Sequence, residues 1–331
     1  MPPKLRTDPT IARLAADLEL RASADPAAAI VRMCRKKLEG FLAEFPCDTL
    51  SQLLETACAR LDTTFVEIHS DAELHAVERK YLDRREHAFV ELGKQLGPDV
   101  YAITFFLSNP EPYGRRFVSI IDCRGAKAPR AYFSKWHELA HLLTLTSQMR
   151  LRFCRTHAEP SHKDPEEALM DVIAGDLGFF PPLVAHHVTG RLSFDKIEQH
   201  RDKLCPEASV LAATIGFVRS WPRPAVLIQA SMAARRQDQE RGFDFHTPTS
   251  TALRAVKVTA NEPARAKGVM IPQNMRVPER SVIRRAFIGE DAPIAAEDLA
   301  WWESRGKPLL ALSIHVEARR RHDHVEALIT L

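Results

Sequence analysis

Residues 131–149 read AYFSKWHELAHLLTLTSQM, and residues 164–180, beyond a polar connection, read DPEEALMDVIAGDLGFF. Both stretches have the apolar spacing of helices. In the first, His137 and His141 stand four apart, so their imidazoles leave one helical face about one turn apart and can reach a single tetrahedral ion. Glu138, beside the first histidine, reaches the side where a bound water would sit. Leu139, Ala140, Leu142 and Leu143 embed the pair in a half-buried helix, where imidazoles without partners would be costly.

A catalytic zinc site needs three protein ligands and an open position. The second helix is opened by Asp164 as cap and Pro165 at its first position. It presents Glu167 and Asp171 one turn apart, with Leu169, Val172, Ile173 and Leu177 to pack it against the first helix. Glu167 is therefore the expected third ligand. Asp171 is expected to hydrogen-bond the free nitrogen of a ligating histidine, which fixes the ring and its tautomer. Glu166 competes for the ligand role, being about 100° round the helix. In such a site Glu138 is the general base, taking a proton from water and returning it to the leaving amine. Tyr132, Arg155, His157 and His162 are eligible to stabilise the oxyanion, and nothing in the sequence ranks them.

Outward from this core, residues 8–62 read as two or three helices, with TTFVEIH (63–69) as a short strand behind them. VYAITFFL (100–107) and RRFVSIID (115–122), separated by the turn-rich SNPEPYG, read as adjacent antiparallel strands, either of which would offer a sheet edge to substrate. Three further helical segments are expected from 193 to about 240, broken at CPE and SWPRP. After a boundary near 245, ALRAVKVTA, KGVMIPQNMRVP, SVIRRAF, LLALSIHVEA and HVEALITL read as short strands, with one helix at AEDLAWWES. The expected organisation is an N-terminal helical segment (1–62), a peptidase core (63–192), a helical extension (193–245) and a β-rich module (246–331). The fold class is α+β, with a small antiparallel sheet beside the two ligand helices.

Composition narrows the chemistry. The 331 residues are 45% hydrophobic and 27% charged, as in an ordinary globular protein. Only 13 are glycine, and no GxGxxG or GxxxxGK[ST] string occurs, which argues against a phosphate-cradling loop. No uninterrupted apolar run approaches the ~18 residues of a membrane span. The opening MPPKLRTDPT lacks the apolar stretch of a secretory signal, and the six cysteines are scattered without a CxxC pair. A reducing cytoplasm, with no membrane partner, is the expectation. The net charge of +3 conceals a basic segment, because residues 254–285 hold Arg254, Lys257, Arg265, Lys267, Arg276, Arg280, Arg284 and Arg285 against Glu262 and Glu279. Gathered on one face, these side chains would suit a phosphate backbone.

The stretch from Val118 to Pro182 resembles the core of the ImmA/IrrE family of zinc metallo-endopeptidases. In that family a strand leads into an (R)xxF(T)xxHExxH helix, and a second helix carries E-x-x-x-(N/D)-x-(F)-A before a proline. Here Arg130 and Phe133 precede His137 suitably. Glu167 takes the ligand place, Asp171 the N/D place, Ile173 the aromatic place and Ala174 the alanine place. The resemblance covers about a fifth of the chain, and the helical stretch after 207 is similar to the family's following helices only weakly. It implies a zincin-like domain, zinc as cofactor with manganese able to replace it in vitro, and a cytoplasmic enzyme. The implied substrate is a helix-turn-helix transcriptional repressor, whose cleavage derepresses DNA-damage or phage-defence genes, with single-stranded DNA as a trigger. The C-terminal tail of about 85 residues is short for a GAF-type sensor.

Two further readings belong to the sequence. Cys154, in the connection RLRFCRTH, is placed to cap the zinc as a thiolate and hold the enzyme latent, with Cys123 the second candidate; the plainer reading is a buried, inert thiol. The rival to an enzyme is a non-catalytic, metal-stabilised module that binds DNA or an effector, although such a site has no use for Glu138. A broad-specificity peptidase of the thermolysin type shares the ligand pattern but is more usually secreted.

Overall fold

Short polar side chains start the helices. Asp8, Asp25, Thr49 and Ser70 each accept a hydrogen bond from a first-turn backbone N–H, and proline follows directly after both aspartates. The computed structural model describes residues 3–111, 114–145, 152–156, 164–235, 251–304 and 306–331. They form two compact units: residues 1–180 with 201–212, and residues 181–200 with 213–331.

The first unit begins with helices α1 (Pro3–Arg6), α2 (Pro9–Asp17), α3 (Pro26–Glu44) and α4 (Leu50–Arg60). Strand β1 (Thr63–Ile68) leads to α5 (Asp71–Asp83) and α6 (Leu92–Gln95). Then come β2 (Val100–Phe106), β3 (Phe117–Asp122), α7 (Ala131–Leu143), β4 (Arg152–Thr156) and α8 (Pro165–Leu177). The four strands make one sheet in the order β1-β3-β2-β4. β2 runs antiparallel to both its neighbours, as expected for β2 and β3, but β1 pairs parallel with β3. The sheet is therefore mixed, where an antiparallel one was expected. Its edges are β1 and β4, so VYAITFFL and RRFVSIID are interior and offer no edge. β4 lies within what reads in the sequence as a connection.

Alternation along the strands separates two faces. Val66, Ile68, Val118, Ile120, Ile103 and Phe105 pack against Leu74, Tyr81, Phe89, Leu92 and Leu96 of the α5–α6 region. The other face carries Thr63, Glu67, Ser119, Ile121, Ala102 and Thr104 and meets α7: Ala131 packs on Ala102 and Ile121, and Lys135 binds Glu67. On its far side α7 packs against α8. Trp136 is fully buried there, and the Tyr132 hydroxyl donates to the Gly178 carbonyl. A Cβ on Gly178 would come within 2.9 Å of the Ala174 carbonyl and 3.1 Å of the Trp136 ring, which is why glycine ends α8. Helix α3 braces both partners: Lys37 Nζ donates to the last-turn Leu143 carbonyl at 2.8 Å, and Arg35 forms a two-pronged ion pair with Asp176. The N-terminal helices thus belong to the unit that holds the HELAH helix.

The second unit contains α9 (Pro181–His187) and most of α10 (Phe194–Leu204) and α11 (Val210–Ser220). Its five-stranded antiparallel sheet has the order β6-β5-β11-β10-β7. The strands are β5 (Ala225–Ala234), β6 (Thr251–Ala260), β7 (Ile294–Asp298), β10 (Ser313–Arg320) and β11 (Val325–Thr330), with a separate ribbon of β8 (Glu303–Ser304) and β9 (Lys307–Pro308). Val226, Ile228, Leu253, Trp302, Val316 and Ile329 are among its core residues.

Four expectations change here. KGVMIPQNMRVP forms no strand but turns and loop, with one isolated bridge from Arg276 to Arg254. AVLIQASMAA is strand β5, paired with β6 and β11, so the helical run stops at Ser220 and a boundary near 245 would divide two paired strands. SVIRRAF is a helix, since Ser281 caps Ile283 N to start Val282–Phe287. AEDLAWWES is the end of β7 and a single 3-10 turn at Leu299–Trp301. Within Pro165–His187, an 18-residue window has the mean hydropathy, 1.5, of a membrane span, and 56% of that window is buried, as in the core helices of globular proteins.

Candidate metal centre

α7 and α8 bring three donor atoms together. His137 Nε2 lies 3.1 Å from Glu167 Oε2 and 3.2 Å from His141 Nε2, and His141 Nε2 lies 3.3 Å from Glu167 Oε1. Zinc bonds of ~2.0–2.1 Å at tetrahedral angles separate the ligand atoms by about 3.3 Å, so this triangle has the size of a zinc site. Both histidines are buried, and Glu167 is one-fifth exposed. Glu166 is not in the group; its backbone N–H is held by the Asp164 cap at 2.7 Å.

The polarity of the triangle also fits a cation. Asp171 Oδ1 lies 3.0 Å from His137 Nδ1, so the ring proton sits on that side and the Nε2 lone pair turns toward Glu167 and His141. A carboxylate and an imidazole lone pair then face each other, an arrangement that positive charge between them relieves. Burial alone would raise the Glu167 carboxyl, but when the His137 and His141 rings carry their second proton, hydrogen bonds to them outweigh it and hold the group well below the usual carboxylate range. Asp171→Asn should weaken zinc binding about 10–100-fold, because the amide can no longer accept the Nδ1 proton in the same way. Zinc titration of the purified variant checks this; unaltered affinity would remove Asp171 from the site.

Glu138 is fully buried on the sheet side of α7. Its Oε2 accepts from Thr104 Oγ1 at 2.7 Å. Behind it the Thr104 and Ser119 hydroxyls lie 2.7 Å apart, and Thr63 Oγ1 lies 3.5 Å from Ser119 Oγ. This line of hydroxyls on three strands was not apparent from the sequence. Its signal is a polar residue at alternate positions of otherwise apolar strands, all on one face.

The remaining candidates separate. Tyr132 is committed to the Gly178 carbonyl, so it is a packing residue and not an oxyanion donor. His157, His162 and the side chains of Cys154 and Arg155 lie outside the described residues; in β4, Cys154 pairs with Ile103. Cys123 is not with the histidines of α7. It lies beside Glu67, where burial and that carboxylate push its thiol up to about 12, and from that place it does not cap the HELAH centre.

Among the described residues, each arginine of the basic segment has a partner. Arg254 is buried, donating to the Ala233 and Asn274 carbonyls. Arg276 and Arg284 share Glu279, Arg285 pairs with Glu290, and Arg265 lies 3.6 Å from Glu262. Arg280 stacks over Trp301 at 4.1 Å; Arg265, Arg276 and Arg280 are exposed, as are Lys257 and Lys267. The chain matches no known protein-family profile, and no curated protein is similar to it in sequence.

Proposed function

We propose that this chain is a zinc-dependent endopeptidase of zincin-like arrangement, with His137, His141 and Glu167 as the ligands and Glu138 as the general base. The observation that carries the reading is the triangle of donors 3.1–3.3 Å apart, oriented by Asp171 and borne on the same helix as Glu138. A zinc ion held there would acidify water and polarise a scissile carbonyl. Glu138 supplies the base: Thr104 holds Oε2, and we assign proton uptake to Oε1 and proton return to the leaving amine. Asp171 keeps His137 in the tautomer that ligates, and α3 fixes the spacing of the two helices through Lys37 and Arg35.

The resemblance to the ImmA/IrrE peptidases points to a specific protein substrate, a helix-turn-helix repressor cut in the cytoplasm to derepress stress-response or phage-defence genes, with single-stranded DNA as activator. The test is incubation with zinc or manganese, with and without single-stranded DNA, against helix-turn-helix proteins encoded nearby and against casein. Cleavage of one such protein and not of casein is the expected result. Ready casein digestion overturns the specific-regulator reading, and absence of any cleavage by the zinc-loaded chain overturns the enzyme.

A further inference from the structure

The sheet assembles a second group of metal-binding side chains at the end of β1. Glu67 and His69 are two residues apart and so leave the chain on one side. Because β1 runs parallel to β3, with Glu67 opposite Ile121 and Ile68 opposite Asp122, the two strands finish at the same end. The Cys123 N–H donates to the Ile68 carbonyl at 2.8 Å, which sets Cys123 beside them.

Three unlike donors meet there. Cys123 Sγ lies 3.6 Å and His69 Nε2 3.7 Å from Glu67 Oε2, and all three donor atoms fall within 4.8 Å of one another. Tetrahedral zinc, with bonds of ~2.3 Å to sulfur and ~2.0 Å to nitrogen or oxygen, separates sulfur from oxygen by about 3.5 Å and nitrogen from oxygen by about 3.3 Å. The two distances to Glu67 Oε2 exceed these separations by only ~0.1 Å for sulfur and ~0.4 Å for nitrogen. Lys135 Nζ, on α7, holds the other carboxylate oxygen, Oε1, at 2.8 Å, which orients Glu67 so that Oε2 faces the thiol and the imidazole. Cys123 is buried, whereas the His69 side chain is 59% exposed, so the group opens to solvent on the histidine side.

We propose that Glu67, His69 and Cys123 form a second metal site, distinct in its residues from the HELAH centre, for a borderline-soft divalent cation of the zinc class. Thiolate and imidazole select zinc, cobalt or cadmium over magnesium or calcium, which want oxygen ligands throughout. Binding exchanges the thiol proton for the metal: the S–H bond breaks, a sulfur–metal bond forms, and the proton leaves to solvent. With three protein ligands the fourth position falls to water. The bound ion ties the ends of β1 and β3 together.

Cobalt titration of the full chain tests this, because the His137, His141 and Glu167 centre contains no sulfur. The expected result is about two cobalt ions per chain and a thiolate-to-cobalt charge-transfer band in the near ultraviolet. Cys123→Ser should abolish the band and leave about one ion per chain. His69→Ala, at an exposed position where folding is not at stake, should weaken the band at the same cobalt concentration. The double variant His137→Ala, His141→Ala should keep the band while losing the other ion, so failure of the first centre is read separately. No band at saturating cobalt, or a band that survives Cys123→Ser, overturns the proposal.

Discussion

Glu138→Gln is expected to keep the wild-type zinc content and to lower kcat/KM for the protein substrate by about 10²–10⁴-fold, the range that a positioned acid–base group contributes. Glutamine preserves the volume of the side chain and can still accept from Thr104 through its amide oxygen, so the packing of α7 on the sheet is retained. The ligand atoms on His137, His141 and Glu167 are untouched. What is lost is the capacity to take a proton and give it back. Metal analysis on the same preparation as the kinetics separates base from ligand. Loss of zinc in this variant would make Glu138 a structural support for the site, and full cleavage would remove it from the chemistry.

Glu167→Ala should lower zinc affinity by at least ~100-fold, more than loss of an outer hydrogen-bond partner would, and abolish cleavage at limiting zinc. Two effects act in the same direction. One donor leaves a three-ligand set, and two buried imidazoles lose the carboxylate that both contact, at 3.1 and 3.3 Å. Glu166→Ala, one residue earlier and outside the triangle, should bind zinc as the wild type does. Equal loss in the two variants would point to a fault in the start of α8, and loss in Glu166→Ala alone would transfer the ligand role to that residue.

The parts of the site that lie within single helices were legible. His137 and His141 share a face by spacing, and Asp164 with Pro165 marks the start of α8, which fixes where Glu167 and Asp171 point. What joins distant strands was not. Nothing local distinguishes a parallel β1/β3 pair from an antiparallel one, so the meeting of Glu67 and His69 with Cys123 follows only from the register. The same holds for the hydroxyl line from Thr63 through Ser119 to Thr104. AVLIQASMAA is short, apolar and alanine-rich, a pattern that helix and buried strand share, and it is pairing on both sides that makes it β5. SVIRRAF carries a local helix signal in Ser281, set against the strand preference of Val282 and Ile283.

The hydroxyl line under Glu138 also sets a tension between endurance and activity. A carboxyl group enclosed between a helix and a sheet gives up its hydration, and hydrogen bonds such as that from Thr104 recover only part of the loss. An apolar side chain of similar size, as in Glu138→Met, should therefore raise the melting temperature while removing the proton acceptor, and thermal unfolding set against cleavage rate would show both. Selection of this domain for thermal robustness alone would drift toward such inactive variants, so a screen for hardier forms must score turnover at the same time.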